Sequence, residues 1–137
     1  MLLLLCRQNS SAQSKDTTSL AGTWYLQAVL PSDTATGKTP WLYFNLQSTS
    51  YTGNSGCNSM HGKFYYSQTD SSFAFANKVA IARNACAGYN EPAFLKSLSN
   101  TEHYKLQNNT LIFVGDNKAE LSHWTRKKEA PAKAIKT

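Results

Sequence analysis

The segment SGCNSMHGKF, residues 55–64, holds the side chains with the most chemical potential in this chain. Cys57 stands four residues before His61, with Asn58 between them and Gly56 and Gly62 on either side. Three chemistries use such residues. A thiol nucleophile needs its base within hydrogen-bonding reach and a third group to orient that base. Cys57 and His61 lie in a glycine-rich loop, where a spacing of four imposes no shared face, and the nearest acid in sequence downstream is Asp70. A metal site would have to add His103 or His123, and the chain has neither a C-x-x-C pair nor an H-x-x-x-H pair, so the spacing is not that of a zinc site. The third possibility is a bridge. The chain has three cysteines: Cys6, Cys57 and Cys86. If Cys6 is modified, Cys57 and Cys86 remain as an even pair, which in an oxidising compartment favours a disulfide. This reading assigns no catalytic residue, no metal and no cofactor. Asn58 suits a turn, where its side chain can satisfy backbone groups. Gly56 and Gly62 suit positive φ or a close backbone approach.

The elements that must position these residues read mostly as strands. In LAGTWYLQAVL, Trp24, Leu26 and Ala28 share one face, with Tyr25 and Gln27 on the other. WLYFNLQ alternates Trp41, Tyr43 and Asn45 against Leu42, Phe44 and Leu46. STSYTGN leads into the cysteine segment, HGKFYYSQ and SSFAFAN suit a hairpin around residues 68–70, and KVAIARNAC suits a further strand. TEHYKLQ, TLIFVG and AELSHWTR form a meander with turns at Asn108–Asn109 and Asp116–Asn117. One helix stands out in NEPAFLKSLSN. Asn90 is its candidate cap, Pro92 lies in its first turn, and Phe94, Leu95 and Leu98 share a side. So short a helix must dock on the sheet to be stable. The fold class expected is mainly β: a curled antiparallel sheet or small barrel of about eight strands, with one short helix packed on it. Trp24, Trp41 and Trp124 read as core or rim packing.

Composition agrees with one domain. The chain has 137 residues, 16% charged and 12% aromatic. Its formal net charge of +6 is concentrated at the end, where Arg126, Lys127, Lys128, Lys133 and Lys136 are offset only by Glu129. Residues 127–137 read as a basic, frayed tail. The rest is nearly neutral and has no basic stripe, which argues against nucleic-acid binding. The opening MLLLLCRQNSSAQSKDTTS places four leucines before Cys6 and a polar stretch after it. This resembles the end of a bacterial lipoprotein leader, with Cys6 lipidated and residues 7–19 a tether. No stretch is long enough to span a membrane as a helix.

Taken in order, LAGTWYL, SGCNSMHGKF, AIARNAC, EPAFLKSL and YKLQNNTLIFV resemble the META domain, or heat-shock protein HslJ-like, family. Gly22, Trp24 and Leu26 match its Gly-x-Trp-x-Leu start. Gly56, Cys57, Asn58 and Gly62 match its Gly-Cys-Asn signature and following glycine. Ala85 and Cys86 match its Ala-Cys, and Glu91, Phe94 and Leu98 its helix. Ala82, Asn84 and Phe64 stand where members commonly carry Thr, Met and Tyr. The resemblance covers residues 20–126 and implies a barrel-like β domain, often secreted or lipid-anchored in bacteria. It implies no established reaction, and links to envelope stress and drug tolerance. The function expected is therefore a non-enzymatic domain of the cell envelope, monomeric and membrane-held only by its lipid, that binds or stabilises an envelope component. The alternatives are a small-molecule carrier with a barrel interior lined from Trp24, Trp41, Tyr43, Phe44 and Phe113, and a thiol enzyme using Cys57. A protease inhibitor or partner-binding barrel using loop 31–40 or 54–62 is a further reading.

Overall fold

The structure, a computed structural model, describes residues 19–27, 38–76, 80–81, 86 and 91–127. Cys6, Ala85, Asn90, loop residues 31–37 and tail residues 128–137 lie outside them. Alternation of apolar and polar residues produces most of the strands: β1 (Gly22–Leu26), β2 (Trp41–Asn45), β3 (Ser50–Asn54), β4 (Ser59–Ser67) and β5 (Ser72–Phe75). A short β6 (Ala80–Ile81) precedes the helix α1 (Glu91–Ser99). The meander follows as β7 (His103–Gln107), β8 (Thr110–Val114) and β9 (Glu120–Thr125).

Every strand pairing is antiparallel, and eight of the strands close on themselves. The circuit runs β1–β2–β3–β4–β5–β7–β8–β9 and returns to β1 through Tyr25↔Thr125 and Leu26↔Trp124. Closure removes the open sheet edges that would otherwise invite pairing with other chains. The long β4 makes the circuit possible. Its residues 59–63 pair with β3, residues 64–67 pair with β5, and β6 joins it through Met60↔Ile81. The narrowest seam is β5–β7, where Ser72 faces His103 and the Phe73 and Tyr104 amides donate across at 2.9 Å each. Tight turns set the registers. Asn108, at φ 55°, supplies the left-handed residue of the β7–β8 turn. At the β4–β5 turn, the Asp70 carboxylate accepts from the Ser72 amide at 3.1 Å, and hydrogen bonding to Ser72 holds its carboxyl below the ordinary value.

The interior is filled with rings. Trp24, Phe44, Phe64, Phe113 and Trp124 have no exposed surface. Phe64 stacks on Phe73 at 5.4 Å, while Phe44 meets Phe64 edge-on at 4.9 Å and Phe73 at 5.6 Å. Such pairs contribute about 0.5–1.5 kcal/mol each beyond the burial of their area. The buried indoles find acceptors: Trp24 Nε1 donates to the Leu20 carbonyl at 2.9 Å, and Trp124 Nε1 to Ser122 Oγ at 2.8 Å. The helix lays Leu98 into this core and places Phe94 against Trp124 at 6.2 Å. Among the described residues no helix is long and apolar enough to cross a membrane.

Arg126 is not a solvated charge of the tail, as its place among the terminal basic residues suggests. Its guanidinium stacks 3.6 Å over the Trp24 ring. Its Nη1 donates to the Ala21 carbonyl and its Nη2 to the Ser19 carbonyl, both at 2.7 Å. The side chain therefore ties the residue that follows β9 to the segment that enters β1. Planarity permits both the stacking and the forked donation, which a lysine would not supply.

Tyr51 on β3 faces Gly62 on β4, and the register explains this glycine. A Cβ at position 62 would lie 3.0 Å from the Tyr51 hydroxyl and 3.1–3.2 Å from its ring carbons. The ring occupies the space that a side chain there would need. Tyr51 is 2% exposed, and among the described residues its hydroxyl has no hydrogen-bond partner. Burial pushes its pKa from 10.0 up to about 12. The neutral phenol is favoured in the folded chain, so its contribution to stability is complete below pH 10.0 and falls away as pH rises towards about 12. Tyr51→Phe should be neutral or slightly stabilising near pH 7, because it removes an unpaired buried hydroxyl. Urea melts of both proteins across that alkaline range should show the wild type losing roughly 2–3 kcal/mol more than the variant. Equal losses would contradict the buried, partnerless hydroxyl.

Candidate functional site

The turn between β3 and β4 is built by side chains that bond to its own backbone. Asn54 Oδ1 accepts from the Gly56 amide at 2.7 Å. Ser55 Oγ accepts from the amides of Cys57 and Asn58 at 3.2 and 3.0 Å. The Ser55 amide closes the turn on the Asn58 carbonyl at 2.9 Å. Gly56 sits at φ +94°, and a Cβ there would come within 3.3 Å of the Lys38 carbonyl and Pro40. Only glycine meets both conditions without strain.

From this turn the buried polar groups reach for the helix. Ser55 and Asn58 are 0% and 1% exposed. Ser55 Oγ donates to Glu91 Oε2, in the first turn of α1. Asn58 Nδ2 bridges both carboxylate oxygens, at 3.1 and 3.0 Å, and also lies 3.3 Å from Cys57 Sγ. The expectation that the Asn58 side chain serves its own turn is thus corrected for its amide nitrogen: Asn54 and Ser55 stabilise the turn, and Asn58 Nδ2 turns to Glu91. A carboxylate at this end of a helix is also favoured by the helix dipole.

Cys57 is joined to Cys86, with Cα atoms 5.9 Å apart and a sequence separation of 29. The covalent bond and the Glu91 clasp therefore join the same turn to the chain leading into α1 and to α1 itself. This arrangement does not bring Cys57 and His61 together as a free thiol and its base. The Cys57 sulfur is bonded rather than free, and His61 is exposed on β4, opposite Thr52 and Ala80. His103 is exposed, and His123 pairs with Glu120 at 2.8 Å. Among the described residues no group of three His, Cys, Asp or Glu side chains could hold a metal ion.

The five aromatic residues proposed to line a barrel cavity do not share one space. Trp24, Phe44 and Phe113 are packed in the core, while Tyr43 is 42% exposed and Trp41 points to the same outer face. A surface depression of about 220 Å3 lies elsewhere, at the β5–β7 seam, bordered by Tyr65, Phe73, Thr101 and Glu102. Most of the family positions on described residues fall into two structural sets. Gly56, Cys57, Asn58, Cys86 and Glu91 meet at the clasp, whereas Gly22 and Trp24 meet at Arg126. Phe94 packs on Trp124, and Gly62 accommodates Tyr51. Sequence reasoning missed Ser55 and Arg126. The local signal for Ser55 was a hydroxyl residue heading a Gly-Cys-Asn turn; Arg126 had none, because its partners are about a hundred positions away.

Replacing both Cys57 and Cys86 with Ala should cost about 3–4 kcal/mol in reversible urea unfolding, as expected for releasing a loop of this length. Glu91→Ala should cost about 1–3 kcal/mol, since Ser55 and Asn58 lose a buried acceptor. Glu91→Gln keeps one acceptor oxygen and should cost less. A thiol titration of unfolded, unreduced protein should find Cys57 and Cys86 unreactive until a reductant is added.

The comparisons agree with this geometry. A protein of the DUF4847 family from Bacteroides vulgatus superposes with a TM-score of 0.64 at 13% identity, covering 80% of this chain and 95% of its own. A protein from Burkholderia xenovorans superposes with a TM-score of 0.60 at 20% identity, covering 92% of this chain and all of its own. At these identities the likeness is one of fold. No curated protein sequence matches this one. The META domain model matches residues 17–128, a span that includes the clasp, the barrel and Arg126, and the chain belongs to the META domain family.

Proposed function

We propose that this META domain is a non-enzymatic binding module of the bacterial cell envelope, held at a membrane through lipid on Cys6 and acting on an envelope component under stress. The Cys57–Cys86 bond carries this reading. Disulfides persist in oxidising compartments and are rare in the reducing cytosol. A bridge that joins the β3–β4 turn to the chain before α1 suits a domain that works outside the cytoplasm. The leucines before Cys6 and the polar residues after it supply the means of anchoring. The saturated hydrogen bonding of Ser55 and the bonded sulfur of Cys57 favour a structural use of the family signature over a reaction. Both similar solved structures come from bacteria.

Expression of the full-length protein in its native host tests the anchor. Protein extracted from membranes should carry the added mass of a lipid on Cys6. Cys6→Ser should move it from the membrane pellet to the soluble envelope fraction. An unmodified mass at Cys6, or a Cys6→Ser protein that still sediments with membranes, would remove the anchor from this reading.

A further inference from the structure

The registers of β1 to β4 align two rows of side chains on the outside of the barrel. One row contains Tyr43, Thr52 and His61, and the next contains Tyr25, Trp41 and Ser59. Their neighbours along each strand, including Trp24, Leu42, Phe44, Tyr51 and Met60, are buried, so these rows face outward. Tyr43 is 42% exposed, Thr52, Ser59 and His61 are exposed, and Tyr25 and Trp41 are half-buried. Trp24 and Trp124 give their indole N–H to internal acceptors; among the described residues Trp41 has no such acceptor. An outward indole and two outward phenols on adjacent strands form a platform whose rings are not needed by the core.

We infer that this face binds a neutral glycan chain. The inference rests on the envelope-binding reading above and names the chemistry of its partner. Charge selects the occupant first. Although the chain carries +6, neither row contains Asp, Glu, Lys or Arg. The one charged side chain on these four strands is Lys63, one row beyond His61, and its ammonium donates to the Ser48 carbonyl at 3.1 Å, so the rows themselves offer no fixed charge to a polyanion or an acidic peptide. Size selects next. Four strands span about 14 Å and the two rows stand about 7 Å apart, a patch far below the roughly 800 Å2 per partner of a stable protein interface. A second copy of the chain is therefore a poor fit, whereas a narrow linear ligand matches. The side chains complete the argument. Aromatic faces are electron-rich and attract the weakly positive C–H face of a pyranose ring. The phenol, hydroxyl, indole and imidazole groups beside them exchange hydrogen bonds with sugar hydroxyls. An acyl chain would leave those polar groups unpaired.

The test is calorimetric titration of the intact protein with cellohexaose and with N-acetylchitohexaose. At least one should bind, and Trp41→Ala and Tyr43→Ala should each weaken it by about tenfold or more. Tyr65→Ala removes an equally prominent aromatic, 63% exposed, from a different part of the barrel and should leave binding unchanged. Tyr43 is more exposed than Trp41, so its variant keeps the test decisive if Trp41→Ala fails to fold. The inference is overturned if neither oligosaccharide binds, if binding survives both platform variants, or if Tyr65→Ala weakens it equally. A concentration-dependent dimer dispersed by Tyr43→Ala would also overturn it, in favour of a self-interface. The titration is done in solution and does not depend on Cys6. Failure here leaves the anchoring result untouched, and failure of the anchor leaves the titration unchanged.

Discussion

Closure of eight strands around one layer of interior side chains is the constraint on which everything else in this molecule depends. A barrel of that size has an interior just wide enough for side chains to fill. Here the filling is aromatic: Phe44, Phe64, Phe73 and Phe113 meet ring to ring, with Trp24 and Trp124 at the closing seam. Because the rings occupy the centre, polar chemistry is displaced to the turns, the helix junction and the outer face. The same closure explains why single backbone positions matter. Gly62 yields its volume to Tyr51, and Gly56 turns the chain where a Cβ would press on Lys38 and Pro40.

A barrel wall does not by itself hold a nine-residue helix. Apolar contact supplies part of the attachment, through Leu98 and Phe94. The Glu91 clasp supplies direction. Ser55 accepts two amides and donates to the carboxylate, and Asn58 reaches both of its oxygens, so the buried polar groups stabilise one another. The disulfide acts on the same turn through the unfolded state, by restricting the chain that must be ordered. Cys57 and Glu91 are thus two independent ties between one loop and the segment around α1, which gives a physical reason for the family signature to contain both.

Much of the fold was legible because it rests on short-range rules. Period-two alternation located β1, β2, β4 and β5, and the Asn108–Asn109 turn marked the β7–β8 hairpin. Pro92 and the spacing of Phe94, Leu95 and Leu98 marked the helix. The pairing of Cys57 with Cys86 followed from their being the pair left once Cys6 is set aside. The roles of Asn58 and Arg126 were not legible in the same way. Each looks local in sequence, as a turn amide and a tail cation, but each finds partners from a distant element: Glu91 for one, Ser19, Ala21 and Trp24 for the other.

The sequence by itself determined the class of fold, the family, the helix and the cysteines available for a bridge, because alternation, turn chemistry and composition act within a few residues of each other. Only the tertiary structure decided which aromatics are core and which are surface. Trp24 and Trp41 are both strand tryptophans, yet pairing places Trp24 inside beneath Arg126 and turns Trp41 out beside Tyr25. Register assigns each side chain to one face of a closed sheet, and the residues that set it belong to strands far apart in the chain. SGCNSMHGKF was settled the same way. Its cysteine, serine and asparagine became a clasp only when Cys86 and Glu91 were brought to them from some thirty residues away.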